Sequence, residues 1–584
     1  MNRGKLRVRH VVAAAALAVP TLLAAAPARA DLELKWATEG YLRTRTVLLT
    51  NLAPQDRVDA VFPPAPTADN AIVVPDIRNT SYIVSRFRLT PKLSYGKVAS
   101  VNLQLDGMDD VLWGDNNGVA SAPLFATDGS WQYYLGDSQQ GGVRGASIAL
   151  KRAWMEFQVP VGMMRVGRMP SHWGMGLLAN GGGSGNIDPT SPVGEPSRKV
   201  LDHYQSEDFG DKHFGSTADR ILFITKPLSI YRTIKKQGNT DSNFVMGYAF
   251  GKIAEAPFLV ADGFQRTFRP YGQQGFLSRG EDDDINEHVA LIVYSNADWD
   301  KKRYTDELRI GGYGVMRDAH EGSTFPSGID PTDTCGEFEG QATPCKDTGS
   351  RVYIADIWWR VRYGNLFTEG EAYKIFGDTF GGVPFPTKNE KKRASIGAGV
   401  ARFGYLTDKW DALLEVGHAS GDDNIGDEKL TQRPMHPDFN VGLILFEETL
   451  RELSARVFGV PFYSAQTPNG ATGFFSNGGV INANYINPRA RYRVPKFGLE
   501  AYGGLLMAWV DTLAVDGTAM FYEDSTGGSS YLGTELDLGL RTSFNKHMRF
   551  SLETGYLRYG KALKSQLTNA DGSFTLQTSV QFTW

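Results

Sequence analysis

The chain has 584 residues, a formal charge of −4, 65 glycines and 24 tyrosines. Beyond the first thirty residues there is no run of about eighteen uncharged apolar residues, so transmembrane helices are excluded. The acidic balance argues against nucleic acid as a partner, but composition and a mean hydropathy of −0.29 leave open both a soluble β protein and a membrane-embedded one.

Residues 1–30 combine a basic start (Arg3, Lys5, Arg7, Arg9), an apolar run from Val11 to Ala26 and the small-residue site Ala28-Arg29-Ala30. These are the three regions of a secretory signal peptide, with cleavage expected before Asp31. Pro20 and Pro27 interrupt the run, which is short for a membrane span. The segment holds five basic residues and no acids, so its removal takes the formal charge from −4 to about −9.

From residue 31 onward the dominant signal is alternation. Near the mature start Leu34, Trp36 and Leu42 oppose Lys35, Glu39, Arg43 and Arg45. In mid-chain Tyr353, Ala355, Ile357, Trp359, Val361 and Tyr363 oppose Asp356, Arg360 and Arg362. Leu536, Leu538 and Leu540 oppose Glu535, Asp537 and Arg541; Met548, Phe550, Leu552 and Tyr556 oppose Arg549, Ser551 and Glu553. At the end Phe574, Leu576, Val580, Phe582 and Trp584 alternate with Thr575, Gln577, Ser579, Gln581 and Thr583. Successive Cβ atoms of a strand point to opposite faces, so each segment has one greasy and one polar face.

The strands expected on this basis fall at about 34–47, 82–95, 97–106, 147–159, 162–168, 219–226, 242–251, 286–296, 306–316, 352–363, 366–376, 394–405, 409–419, 480–494, 497–510, 531–544, 547–559 and 573–584. Tight turns such as Tyr95-Gly96, Pro160-Val161-Gly162, Gly364-Asn365, Pro495-Lys496 and Asn545-Lys546 alternate with long loops rich in Gly, Pro and Asp. Short turns on the periplasmic side and long loops outside are the plan of an outer-membrane barrel, and a soluble β-sandwich has no reason to show it. The expectation is one all-β domain over residues 31–584: a transmembrane antiparallel barrel of about 16–18 strands in a bacterial outer membrane, surrounded by its lipid.

The longest connections, about 48–81, 107–146, 169–218 and 420–479, are expected to fold over or into the barrel mouth. Leu445 to Phe458 reads as a short helix in the last of them. Cys335 and Cys345 share one outer loop; in an exported protein the pair reads as a disulfide, the alternative being two free thiols.

The polar faces are rich in arginine. Arg43, Arg45, Arg86, Arg88, Arg152, Arg360, Arg362, Arg489, Arg491, Arg493 and Arg541, with Glu535 and Asp537, are the candidate pore-lining residues. Guanidinium groups in a pore attract anions, whereas pairing with carboxylates such as Asp106, Glu156, Asp356, Glu369, Glu371, Asp411, Glu415, Glu500 and Glu553 would neutralise them. Asp422, Asp423, Asn424 and Asp427 form an acidic turn that could take calcium or simply be solvated, and Glu281 to Asp284 is a weaker case. No other cofactor is implied. For catalysis there is no Gly-x-Ser-x-Gly elbow, His-Glu-x-x-His or Walker loop, so no catalytic residue is assigned. His172, His203, His213 and Asp202 share one loop and His418 adjoins the acidic turn, which keeps an outer-membrane hydrolase as an alternative.

Glu415 to Asp423, followed by His436 to Phe446, resembles a stretch of the large outer-membrane barrels related to alginate-export porins; Val166-Gly167-Arg168 before Trp173-Gly174 is similar to them too. The terminal Phe582-Thr583-Trp584 resembles the aromatic ending read by the barrel-assembly machinery, a partner the resemblance implies. It also implies a porin-like channel for passive diffusion of small solutes, with anionic saccharides as a candidate class. A plugged surface-binding barrel is the competing expectation. Oligomeric state is not legible.

Overall fold

The computed structural model describes residues 33–53, 77–112, 148–182, 209–210, 215–238, 241–253, 285–296, 307–319, 337–338, 341–342, 350–379, 392–407, 409–424, 427–451, 453, 476, 478–494, 498–515, 521, 523–543, 547–565, 567 and 571–584. The signal segment, Cys335, Cys345 and Glu281 to Asp284 lie outside them.

Eighteen strands form the wall. They are β1 (Leu34–Ala53), β2 (Ile77–Tyr95), β3 (Ala99–Leu112), β4 (Ile148–Val159), β5 (Gly162–Pro170) and β6 (Thr217–Thr225). Then come β7 (Phe244–Ile253), β8 (Ile285–Asn296), β9 (Glu307–Ala319), β10 (Ser350–Tyr363), β11 (Leu366–Thr379) and β12 (Lys392–Leu406). The last are β13 (Trp410–Ala419), β14 (Ala483–Val494), β15 (Leu499–Val510), β16 (Tyr531–Ser543), β17 (Met548–Tyr559) and β18 (Gly572–Thr583). Each pairs antiparallel with its sequence neighbours, and the wall closes where β1 meets β18, from Tyr41 opposite Thr583 to Thr50 opposite Phe574. A two-residue strand, Lys429–Leu430, adds to β12 in parallel.

All eighteen expected strands are present, and the faces follow the alternation. On β16 Leu536, Leu538 and Leu540 are exposed while Glu535 and Asp537 are buried; on β18 Phe574, Leu576, Val580 and Phe582 face out while Thr575 and Gln577 face in. A one-residue slip of β10 would exchange Tyr353 and Ile357 for Asp356 and Arg360 on the lipid side. Arginine at the bilayer midplane costs about 2 to 4 kcal/mol, so lipid itself pins the register. The structure is a membrane-spanning barrel of the outer-membrane type, with the start of β1 and the end of β18 on the side of the short turns.

Two features depart from a simple polar lumen. On β7 and β8 the inward residues Val245, Ala249, Val289, Leu291 and Val293 are apolar and buried. They are covered because residues 171–182 and 432–450 fold inside the barrel, bringing Leu177, Leu443, Ile444, Leu445 and Phe446 to 1% exposure or less within one continuous apolar cluster. The expected helix near 445 is present as the turn Leu445–Leu450, with wide π-type hydrogen bonding.

The closing seam is tight. Gly40 exchanges backbone hydrogen bonds with Trp584, whose ring stacks 5.7 Å from Phe87. A Cβ on Gly40 would lie 2.6 Å from both the Arg88 carbonyl oxygen and the Trp584 ring. Gly40→Val should therefore cost about 1–3 kcal/mol and lower the folded, heat-modifiable fraction on gels, whereas Thr38→Val on the same strand should leave it unchanged.

Candidate functional site

The inward side chains form two kinds of contact: charge to charge along the wall, and charge to backbone between the wall and the inward loops. Along the wall, Arg360, Glu369, Arg402, Glu415 and Arg489 make a chain across five successive strands, β10 to β14. Arg360 donates to Glu369 at 2.8 Å, Arg402 to Glu415 at 2.5 Å, and Arg489 reaches Glu415 at 3.2 Å. Arg402 also approaches Glu369 at 4.0 Å, and the Tyr485 hydroxyl donates to Glu415 at 3.0 Å. Arg493 bridges Asp411 and Glu500, with Arg491 and Arg541 also drawn to Glu500.

On the β1–β4 side Arg88 makes two bonds with Asp106, at 2.6 and 2.8 Å, and Arg152 donates to Gln104. Arg45 donates to Gln577, and Arg43 stands directly opposite Arg86 across the β1–β2 pair. Arg362 points to the Gly364 carbonyl oxygen near the turn. Pairs missed in the sequence are Arg165 with Glu156, Arg309 with Glu307, and Arg220 and Arg317 sharing Glu287. Their signal is present in the sequence, since each arginine occupies an inward-alternating position. Removing one partner of such a buried pair costs about 3–5 kcal/mol, so these arginines hold the wall together before they serve any solute.

The inward loops are held differently. Glu371 on β11 accepts the backbone N–H groups of Met175, Gly176 (2.9 Å) and Leu177 (3.3 Å). Beside it Trp173 donates its indole N–H to Asp356 at 3.0 Å and stacks 5.0 Å from Tyr313. Gly174 makes the approach possible: its φ is +54°, and a Cβ there would lie 2.5 Å from a Glu371 carboxylate oxygen. Five strands further round the wall, Glu535 of β16 accepts the N–H groups of Leu443, Ile444 and Leu445, each at 2.7 Å. Arginines take the carbonyls: Arg152 donates to Gly181 and Ser216 at 3.0 Å each, and Arg489 to Val441 at 3.0 Å. The loops also bind one another, with the His436 amide on the Leu177 carbonyl at 2.7 Å and the Gly215 amide on Asp438 at 2.6 Å.

Ser216, His436 and Asp438 meet the composition of a nucleophilic triad but not its geometry. Ser216 Oγ lies 2.8 Å from His436 Nε2. His436 Nδ1 accepts the Asp438 backbone N–H at 3.1 Å, so the imidazole proton belongs on Nε2 and is donated toward serine. A general base needs the opposite tautomer, with its second nitrogen donating to the acid. The Asp438 carboxylate is instead occupied by Gly215 and stands 4.0 Å from Nδ1. His172 accepts the Gly181 amide and His418 bonds Asn484; Asp202, His203 and His213 lie outside the described residues.

In the acidic turn, Asp422 accepts the amides of Asn424 and Thr431, and Asp427 that of Lys429. Asp423 is exposed. Among the described residues no three His, Cys, Asp or Glu side chains converge as a metal site.

A closed eighteen-strand wall with an apolar outer face, a charged inner face and loops folded into its lumen defines an outer-membrane β-barrel. No protein-family model matches the chain, and no curated protein matches it. Among solved structures it is similar to OccK9 (OpdG) of Pseudomonas aeruginosa, with 9% identity, TM-score 0.45 and coverage of 95% of this chain and 99% of that one. It is also similar to OpdQ of the same organism (8%, TM-score 0.42, 94% and 97%) and to the anion-selective porin of Comamonas acidovorans (9%, TM-score 0.31, 94% and 100%). At such identities the solutes of those proteins do not extend to this chain.

Two outcomes follow from the loop contacts. Glu371→Ala and Glu535→Ala each remove the carboxyl acceptor of three backbone amides, worth about 0.5–1.5 kcal/mol per bond before relaxation. Each should make its own inward segment, 171–182 or 432–450 respectively, more sensitive to protease in the folded barrel, with the other segment unchanged. Glu447, in the lumen helix, is pushed well above the usual carboxylate range by burial, against the pull of Arg451 and Arg45. Ionisation of this acid therefore opposes folding above its unfolded pKa, and the cost disappears on acidification. Glu447→Gln should raise the thermal midpoint in detergent at about pH 8 and leave it unchanged near about pH 4.

Proposed function

We propose that this barrel is a porin-like channel for passive diffusion of small solutes, with a preference for anions. The observation that carries the reading is Arg433. It lies in the inward segment, within electrostatic range of the Arg317 guanidinium and Tyr373, and no carboxylate among the described residues pairs with it. The Tyr373 hydroxyl is buried and has no hydrogen-bond partner among the described residues. Burial and Arg317 lower the Arg433 pKa, opposed by Tyr373, but a guanidinium keeps its charge in a protein. A cation that no carboxylate neutralises favours a passing carboxylate or phosphate, and anionic saccharides, the class implied by the resemblance of residues 415–446, carry such groups.

The wall arginines contribute less to this preference than their number suggests, because most are engaged by carboxylates. Reversal potentials in planar bilayers under a salt gradient test the reading. An anion-selective wild type whose preference falls two-fold or more in Arg433→Gln supports it; cation selectivity of the wild type overturns it. The apolar packing of the inward loops favours one competitor, a plugged barrel that binds at its surface, and a folded barrel that conducts nothing would establish that reading instead.

A further inference from the structure

Helix α1 (Pro227–Ile234) lies in the connection between β6 and β7, on the side of the short turns. Proline in its first turn suits a helix start, where the missing N–H has no intrahelical partner to lose. None of its residues is buried. Leu228, Tyr231 and Ile234 are 45%, 55% and 72% exposed, and their spacing of three places them on one stripe of the helix. Three large apolar side chains on a helix of this size should not be left to water.

The stripe is held in place. Arg232 donates to the Asp241 carbonyl oxygen, and Lys226 reaches the Asp241 carboxylate at 3.2 Å, so the ends of the connection are tied together beside β7. Lys235 and Lys236 follow the helix, with the Lys235 ammonium 6.0 Å from the Tyr231 ring centroid. At the same end of the wall as this connection, Met246 and Tyr248 on β7, Tyr294 on β8 and Val161 in the β4–β5 turn are exposed in the lipid-facing band. The apolar stripe thus lies on a helix that neighbours β7, at the edge of a surface that faces lipid, and the basic groups beside it match the phosphates of a headgroup layer.

We propose that α1 is an interfacial helix: Leu228, Tyr231 and Ile234 insert into the periplasmic leaflet, and Arg232, Lys235 and Lys236 meet lipid phosphates. At about 1.5 Å per residue the helix is far too short to span, so it lies along the membrane. Tyrosine suits this depth, with its ring among acyl chains and its hydroxyl in the headgroups.

The test uses the full-length barrel, with Cys335 and Cys345 replaced by serine, in vesicles of phosphatidylethanolamine and phosphatidylglycerol. A nitroxide is placed by Ile234→Cys or, on the opposite side of the helix, by Thr233→Cys, and collisions with oxygen and with a nickel chelate are measured by power saturation. The expected result is a several-fold higher oxygen-to-nickel ratio at Ile234 than at Thr233. Equal ratios at the two sites overturn the proposal, because the stripe would then be in water. Shielding of Ile234 from both reagents also overturns it, since a protein surface, either another copy or another part of the chain, would then cover the stripe. Heat-modifiable migration of both labelled proteins confirms that each reading comes from a folded barrel.

Discussion

A loop that turns into a barrel carries unpaired amides and carbonyls into a space where water is scarce, and each buried orphan costs about 1–3 kcal/mol. The interior of this protein is arranged around that constraint. Glu371 accepts three consecutive amides at 175–177 and Glu535 three at 443–445, while Arg152 and Arg489 donate to carbonyls of the same segments. A carboxylate facing a run of amides and a guanidinium facing carbonyls are the same solution in opposite polarity. With the backbone satisfied, the apolar side chains of the loops can pack on Val245, Val289 and Leu291, which explains why part of the inner wall is hydrophobic.

This arrangement also decides what the interior charges do. Arginine and carboxylate alternate along the wall from Arg360 to Arg489, and in a medium of low dielectric such a chain is stable only when each member keeps its partners. Fields from these groups largely cancel. On the proposed reading, what reaches a solute is set by the exceptions, above all Arg433 in the inward loop. On that reading, selectivity would depend on loop placement as much as on the wall's composition.

The outer surface obeys a different physics. Lipid offers no hydrogen bonds, so the wall must close and its outward positions must be apolar. On the reading proposed for α1 the same requirement extends past the strands, since among the described residues nothing covers its apolar stripe.

The period-two alternation, the short and long connections and the aromatic end determined the barrel, a count of about 16–18 strands and the inward direction of Arg45, Arg88, Arg360, Glu535 and Asp537. They could do so because lipid punishes a one-residue slip on every strand, which makes the pattern local and readable. The strings of residues that carry the resemblance, Trp173-Gly174 and His436 to Phe446, turned out to be the segments folded into the lumen. Their partners were not legible. Glu371 is 194 to 196 residues from the amides it holds and Glu535 about ninety from its own, and no periodicity links positions so far apart. Whether an inward arginine is paired with a neighbour, spent on a loop carbonyl or left to meet a solute depends on which loop enters and where it stops. Only the tertiary structure decides that, because satisfying buried backbone is a contest among distant groups that a single strand's pattern does not contain.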